Sequence, residues 1–192
     1  MTGPLSCAPQ AAGRDKRQAR LPVRFGRNME LAFKPVETKY PTMITIRPCR
    51  SGEGERAVEI WRDAVDATHD FLSPEDRRAL DALVRGFLPQ APLWFAVDAN
   101  DRPLAFMLVD NGHMEALFVD PACRGTGIGA ALVRHGLALH PGMTTDVNEQ
   151  NGQAVGFYER MGFQRTGRSP LDGQGRPYPL IHLKYDLLRR SR

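Results

Sequence analysis

The run Leu117-Phe118-Val119-Asp120-Pro121-Ala122-Cys123-Arg124-Gly125-Thr126-Gly127-Ile128-Gly129 constrains this chain more than any other part of it. Apolar, β-prone residues lead into Pro121, which has no amide to donate to a ladder and so ends a strand. Gly125, Gly127 and Gly129 permit a tight turn with converging backbone amides. Ala130, Ala131, Leu132 and Val133 then continue as a helix. The unpaired N–H groups of a first helical turn, together with the positive end of the helix dipole, suit a bound diphosphate.

Glycine-rich turns of this kind hold several ligands, and their spacing separates them. A phosphate loop of the Walker type needs Gly-Lys-Ser/Thr, and the chain contains no such triplet. A dinucleotide fingerprint wants GxGxxG near the start of a βαβ unit, with an acid about 20 residues on. Here the spacing is GxGxG, and the turn follows three or four predicted strands. A purely structural glycine turn is the plainer alternative.

The remaining pattern fits one mixed α/β domain. A short β-type run, Met43–Arg47, precedes a helix over Gly52–Ala67 that carries Ala57, Val58, Trp61, Ala64 and Val65 at helical spacing. Ser73-Pro74-Glu75-Asp76 reads as a helix start, and Leu80, Leu83, Val84 and Phe87 as that helix's buried stripe. Leu93–Asp98, Pro103–Val109 and His113–Asp120 read as an antiparallel meander with short turns. After the glycine loop come a helix over Gly127–Leu139, a strand near Met143–Val147 and a helix over Gln153–Met161. Strands near Phe163–Arg168 and over Leu180–Asp186 complete the order β-α-α-β-β-β-α-β-α-β-β.

Charge does not spread evenly over this layout. The chain carries a net charge of +4, but residues 1–42 hold eight Lys/Arg against three acids, leaving eighteen basic and nineteen acidic residues in the rest. The basic excess therefore belongs to the first segment and is only weak evidence for a nucleic-acid-binding domain. Five prolines interrupt residues 1–42, which read as a flexible basic extension. An organelle transit peptide is a second reading of that segment, and a start at Met43 a third. The domain itself is expected over 43–188, with 189–192 as a tail. No apolar stretch approaches the roughly 20 residues of a membrane span and no secretory h-region opens the chain, so a cytoplasmic location is expected. Three separated cysteines form neither a disulfide framework nor a zinc motif, and no metal site is expected.

Arg124-x-x-Gly127-x-Gly129 resembles the (Gln/Arg)-x-x-Gly-x-(Gly/Ala) pattern of the GNAT superfamily of N-acetyltransferases. Asn151, Ala154, Phe157, Tyr158, Gly162 and Phe163 resemble that superfamily's Asn-x-x-Ala-x-x-(Phe/Leu)-Tyr-x-x-x-Gly-Phe segment. The strings 65–73, 87–94 and 177–180 resemble bacterial members described as peptidyl-lysine acetyltransferases. This resemblance implies a central, mixed but mostly antiparallel sheet flanked by helices. It further implies acetyl-CoA as co-substrate and a primary amine as acceptor, with protein lysine first and a small-molecule amine second. A non-catalytic acyl-CoA-binding or sensing module on the same fold is the alternative from another class.

The resemblance also assigns site residues. Leu117, Phe118 and Val119 would offer backbone groups to the pantetheine arm. Arg124, Gly125, Thr126, Gly127, Ile128, Gly129 and Ala130 would hold the diphosphate, with Asn148 and Asn151 beside the arm. Asn151 also reads as an ordinary N-cap. Direct attack of an amine on the thioester needs a neutral amine and a proton for the departing thiolate. Tyr158, a phenol that stays protonated at neutral pH, is the candidate acid. His113 and Glu115, placed by period-two alternation on the face of Leu117 and Val119, are candidate bases, and a water chain is a third. His69 is expected to line the acceptor site, and Cys123 to be structural.

Overall fold

The computed structural model describes residues 43–187. The expected basic extension over 1–42 and the tail over 189–192 lie outside the described residues.

Continuous apolar runs, buried on both faces, and short turns build the centre of the sheet. Strands β1 (Thr45–Pro48), β2 (Trp94–Val97), β3 (Pro103–Asp110) and β4 (His113–Val119) pair antiparallel in succession, the last three as the meander pattern predicts. Strand β5 (Thr144–Asn148) joins β4 in parallel, and β7 (Leu180–Tyr185) lies between β5 and β6 (Phe163–Ser169). The order is β1-β2-β3-β4-β5-β7-β6, a mixed and mostly antiparallel seven-stranded sheet. Helices α1 (Gly54–Asp66), α2 (Pro74–Phe87), α3 (Ile128–Leu139) and α4 (Gly152–Met161) flank it.

Two cores form, one on each face. Ala57, Val58, Ile60, Trp61 and Val65 of α1 pack with Phe95, Phe106 and Leu108. On the other face Leu132 and Val133 of α3 and Val155 and Tyr158 of α4 pack with Met107, Met114, Val147 and Leu183. Phe95 and Phe106 are fully buried, and burial of such a ring contributes about 1.5–3 kcal/mol.

The stripe expected on α2 is only partly buried. Val84 is buried and Leu80 half-buried, but Leu83 and Phe87 are 48% and 50% exposed. Helix α2 leans on α1 and on the 3-10 turn Leu88–Gln90 instead of lying on the sheet, so a narrow line of side chains suffices to seat it. Polar contacts make up the difference. Ser73 caps α2 by accepting from the Asp76 amide at 3.1 Å, as the sequence predicts. Arg62 on α1 grips Asp81 on α2 through two bonds, at 2.5 and 2.8 Å.

That grip holds the Asp81 carboxyl down at about 2, chiefly through the Arg62 hydrogen bond, with burial opposing. The unfolded carboxyl titrates near 4, so the pair's contribution is present above about pH 4 and is lost as pH falls from about 4 to 2. Asp81→Asn should therefore cost at most about 1 kcal/mol at neutral pH, since the pair is solvent-screened. Acid unfolding followed by circular dichroism should show the variant losing less of its stability than the parent between those two values.

The loop between β6 and β7 latches onto the same corner. The Tyr178 hydroxyl donates to Asp76 at 2.6 Å and accepts from the Ser73 amide at 3.1 Å. The Tyr178 ring also stands 6.0 Å from Phe71. Residues 67–73, between α1 and α2, are thereby held against the body of the domain.

Candidate active site

Strands β4 and β5 stay in register for only two pairs, His113↔Thr144 and Met114↔Thr145, and then part. Leu117, Phe118 and Val119 continue along β3 but face an opening on their other edge. A cavity of about 430 Å³ occupies this opening. Its walls include Leu117–Val119 of β4, the glycine loop, the start of α3, Asn151, Tyr158 and Arg160 around α4, and Ala64, Thr68 and His69 at the end of α1.

The loop is fixed from below. Asp120 accepts from the Ala122 amide at 3.0 Å and pairs with Arg56 of α1 at 2.8 Å, while Thr126 donates to the Cys123 carbonyl at 2.6 Å. Gly125 and Gly127 take positive φ values of 76° and 88°, and a Cβ on either would meet open space. Gly129 has a different task, because its missing side chain lets Val119 and Phe157 close in, at 3.4 and 3.7 Å from where a Cβ would stand. Gly127 is the N-cap of α3 and supplies no side chain to its first amides, nor is there an acid in that turn. A helix start of this kind, with Gly127, Ile128, Gly129 and Ala130 lining the cavity, fits the two phosphates of coenzyme A.

The acetyltransferase (GNAT) domain model matches residues 65–176. The chain belongs to the GNAT acetyltransferases. It is 59% identical over 143 residues to the peptidyl-lysine N-acetyltransferase YjaB of Salmonella typhimurium, an alignment covering 74% of this chain and 99% of that one. The solution structure of apo-form YjaB from Escherichia coli superposes with a TM-score of 0.72 at 58% identity, over 74% of this chain and 97% of that chain. PaiA N-acetyltransferase from Thermoplasma acidophilum, solved in complex with coenzyme A, shares the fold at 16% identity and a TM-score of 0.61, over 74% and 98% of the two chains. As a GNAT enzyme the protein is an acetyl-CoA-dependent N-acetyltransferase.

Within the GNAT cavity Tyr158 is buried, with its ring edge-on to Phe157 and Phe163 at 5.0 and 5.4 Å. Burial pushes its phenol well above the ordinary tyrosine value, the Thr145 hydroxyl acting in the opposite direction. Arg124 reaches back to donate to the Ala64 carbonyl at 3.2 Å. Asn151 is an N-cap, accepting from the Ala154 amide at 3.1 Å, and it lines the cavity as well. Asn148 ends β5, pairs with Leu180 and is not among the lining residues. Cys123 lines the cavity, and burial pushes its thiol up, against any nucleophilic use.

The alternation expected for His113 and Glu115 is broken. Leu108 pairs with Ala116 and the next residue, Val109, pairs with Met114, so Glu115 is an extra residue in a β-bulge. Met114, not His113, therefore shares the core face of Leu117 and Val119. Glu115 is exposed, His113 bonds the Thr144 hydroxyl through Nδ1 at 2.8 Å, and neither lines the cavity. Arg160 does line it, and sequence reading missed it. The available signal was Gly156, one helical turn earlier. A glycine inside a helix costs about 1 kcal/mol against alanine, and here a Cβ would stand 3.2 Å from the Arg160 guanidinium.

Proposed function

We propose that this enzyme acetylates a lysine side chain of a peptide or protein in the cytoplasm, by direct attack of the amine on acetyl-CoA. The observation that carries this reading is that one cavity joins the glycine cradle of Gly125–Ala130 to the buried phenol of Tyr158. In this reading the cradle and Arg160 hold the diphosphate end. The backbone of Leu117–Val119 aligns the pantetheine arm, with Asn151 beside it. The neutral amine attacks the thioester carbonyl carbon, the carbon–sulfur bond breaks, and Tyr158 gives its proton to the thiolate. The acceptor class is supported by the likeness to YjaB, whose name specifies peptidyl lysine.

Two measurements test it. At about 100 times its Kd, acetyl-CoA should stabilise the native state by about 2.7 kcal/mol, roughly 5–10 °C in Tm for a chain of this size. NADH and ATP should leave Tm unchanged, and an equal rise with NADH would overturn the donor assignment. Mass spectrometry of short peptides with a blocked N-terminus and one lysine should detect added acetyl groups. Turnover confined to polyamines would instead place the acceptor among small amines.

A further inference from the structure

An acceptor lysine enters as an ammonium with a pKa of about 10.4, so it must lose a proton before it can attack. His69 stands between α1 and α2 and lines the same cavity as Tyr158. Its neighbour decides which ring nitrogen is free. The Thr68 hydroxyl has one hydrogen, and it donates that hydrogen to the Ala64 carbonyl at 2.7 Å. Nδ1 of His69 lies 2.9 Å from the same oxygen. With its proton committed, Thr68 Oγ1 can only accept, so Nδ1 carries the ring hydrogen and Nε2 keeps its lone pair. Phe71 and Phe118 flank the ring, with centroids at 5.2 and 6.4 Å, and restrict its rotation.

We infer that His69 is the general base of the reaction, taking the proton of the acceptor ammonium on Nε2, with Thr68 as its positioning residue. This rests on the transferase reading of the same cavity. The balance is complete without a further reactant. The ammonium gives H⁺ to Nε2, the amine forms the new C–N bond, and the thiolate takes a proton from Tyr158. The second amine proton and that of the imidazolium pass to water and to the phenolate, restoring both groups. A base must be unprotonated to act, and the surroundings of His69 provide for this. Burial lowers its pKa, Arg124 and Arg77 lower it further, and Asp70 opposes them weakly. At neutral pH the ring is therefore neutral. His113 and Glu115 offer nothing comparable, since neither reaches the cavity.

The test is His69→Gln and Thr68→Val in the full chain, assayed with the lysine peptides on which the parent turns over. His69→Gln should bind acetyl-CoA with the parent's affinity, which also verifies its fold. Its turnover should fall roughly 10²–10⁴-fold at neutral pH, and the acidic limb of its kcat/KM profile should vanish. Thr68→Val should keep that limb, lose about tenfold in kcat, and shift the ring toward a mixture of tautomers by ¹⁵N NMR. Retained turnover and an unchanged limb in His69→Gln would overturn the assignment, as would a parent ring found in the Nε2–H tautomer. A parent that binds acetyl-CoA yet acetylates no amine would overturn the transferase reading instead, so the two failures are distinct.

Discussion

Tyr158→Phe is expected to lower turnover by roughly 10²–10⁴-fold while the protein keeps its fold and its affinity for acetyl-CoA. The substitution deletes one hydroxyl and preserves a ring packed edge-on between Phe157 and Phe163. In water the phenol titrates near 10 and a thiol near 8.5, so proton transfer to a free thiolate would run slightly uphill. Burial raises the phenol further, but a thiolate released into the same dry pocket is destabilised by the same desolvation, which offsets that rise and leaves the transfer only slightly uphill. The shift also keeps Tyr158 protonated through the pH range in which an ordinary tyrosine would ionise. The alkaline side of the rate profile should therefore show no loss attributable to Tyr158. Full turnover in the phenylalanine variant, with the chemical step shown to limit the rate, would remove the acid role.

Gly127→Asp is expected to weaken coenzyme A binding by at least about 10²-fold, and Gly127→Asn by about tenfold. Asparagine and aspartate both tolerate the left-handed backbone at this position better than other side chains do, and a Cβ here would meet nothing within 4 Å. The pair thus differs in charge and hardly in shape. The asparagine measures intrusion into the cradle. The aspartate adds repulsion from the diphosphate, about 4 kcal/mol for unit charges at 4 Å and an effective dielectric of about 20. The gap between the two variants should narrow as salt rises. Isothermal titration with coenzyme A measures both, and equal affinities in the two would mean that no phosphate lies near this residue.

The order of elements was legible because each one repeats its own signal. Apolar β-type runs bounded by turns mark β2 to β4, helical spacing marks α1, and Ser73-Pro74 marks the start of α2. The cradle was legible for a related reason, since Pro121 and three glycines act through the local backbone. What failed was whatever depends on one residue or on distant packing. The bulge at Glu115 adds a single residue, changes no composition, and reverses the face of everything before it. The exposure of Leu83 and Phe87 follows from what α2 leans on, which a helical period does not record. The free nitrogen of His69 depends on which carbonyl Thr68 chooses. Arg160 lines the cavity from the last turn of α4, although Gly156 had marked the spot.

The parting of β4 from β5 has a consequence beyond catalysis. A strand with an unused edge ordinarily invites another chain to pair with it, which is how sheets come to aggregate. Here the unused stretch lies in the middle of the sheet, between neighbours that already pair elsewhere, so a second polypeptide has no open flank from which to approach. The enzyme therefore carries a seam that only a slender ligand can close. Between turnovers that seam is the weakest line across the sheet, and the backbone amides along it should exchange with solvent sooner than those shared by β3 and β4.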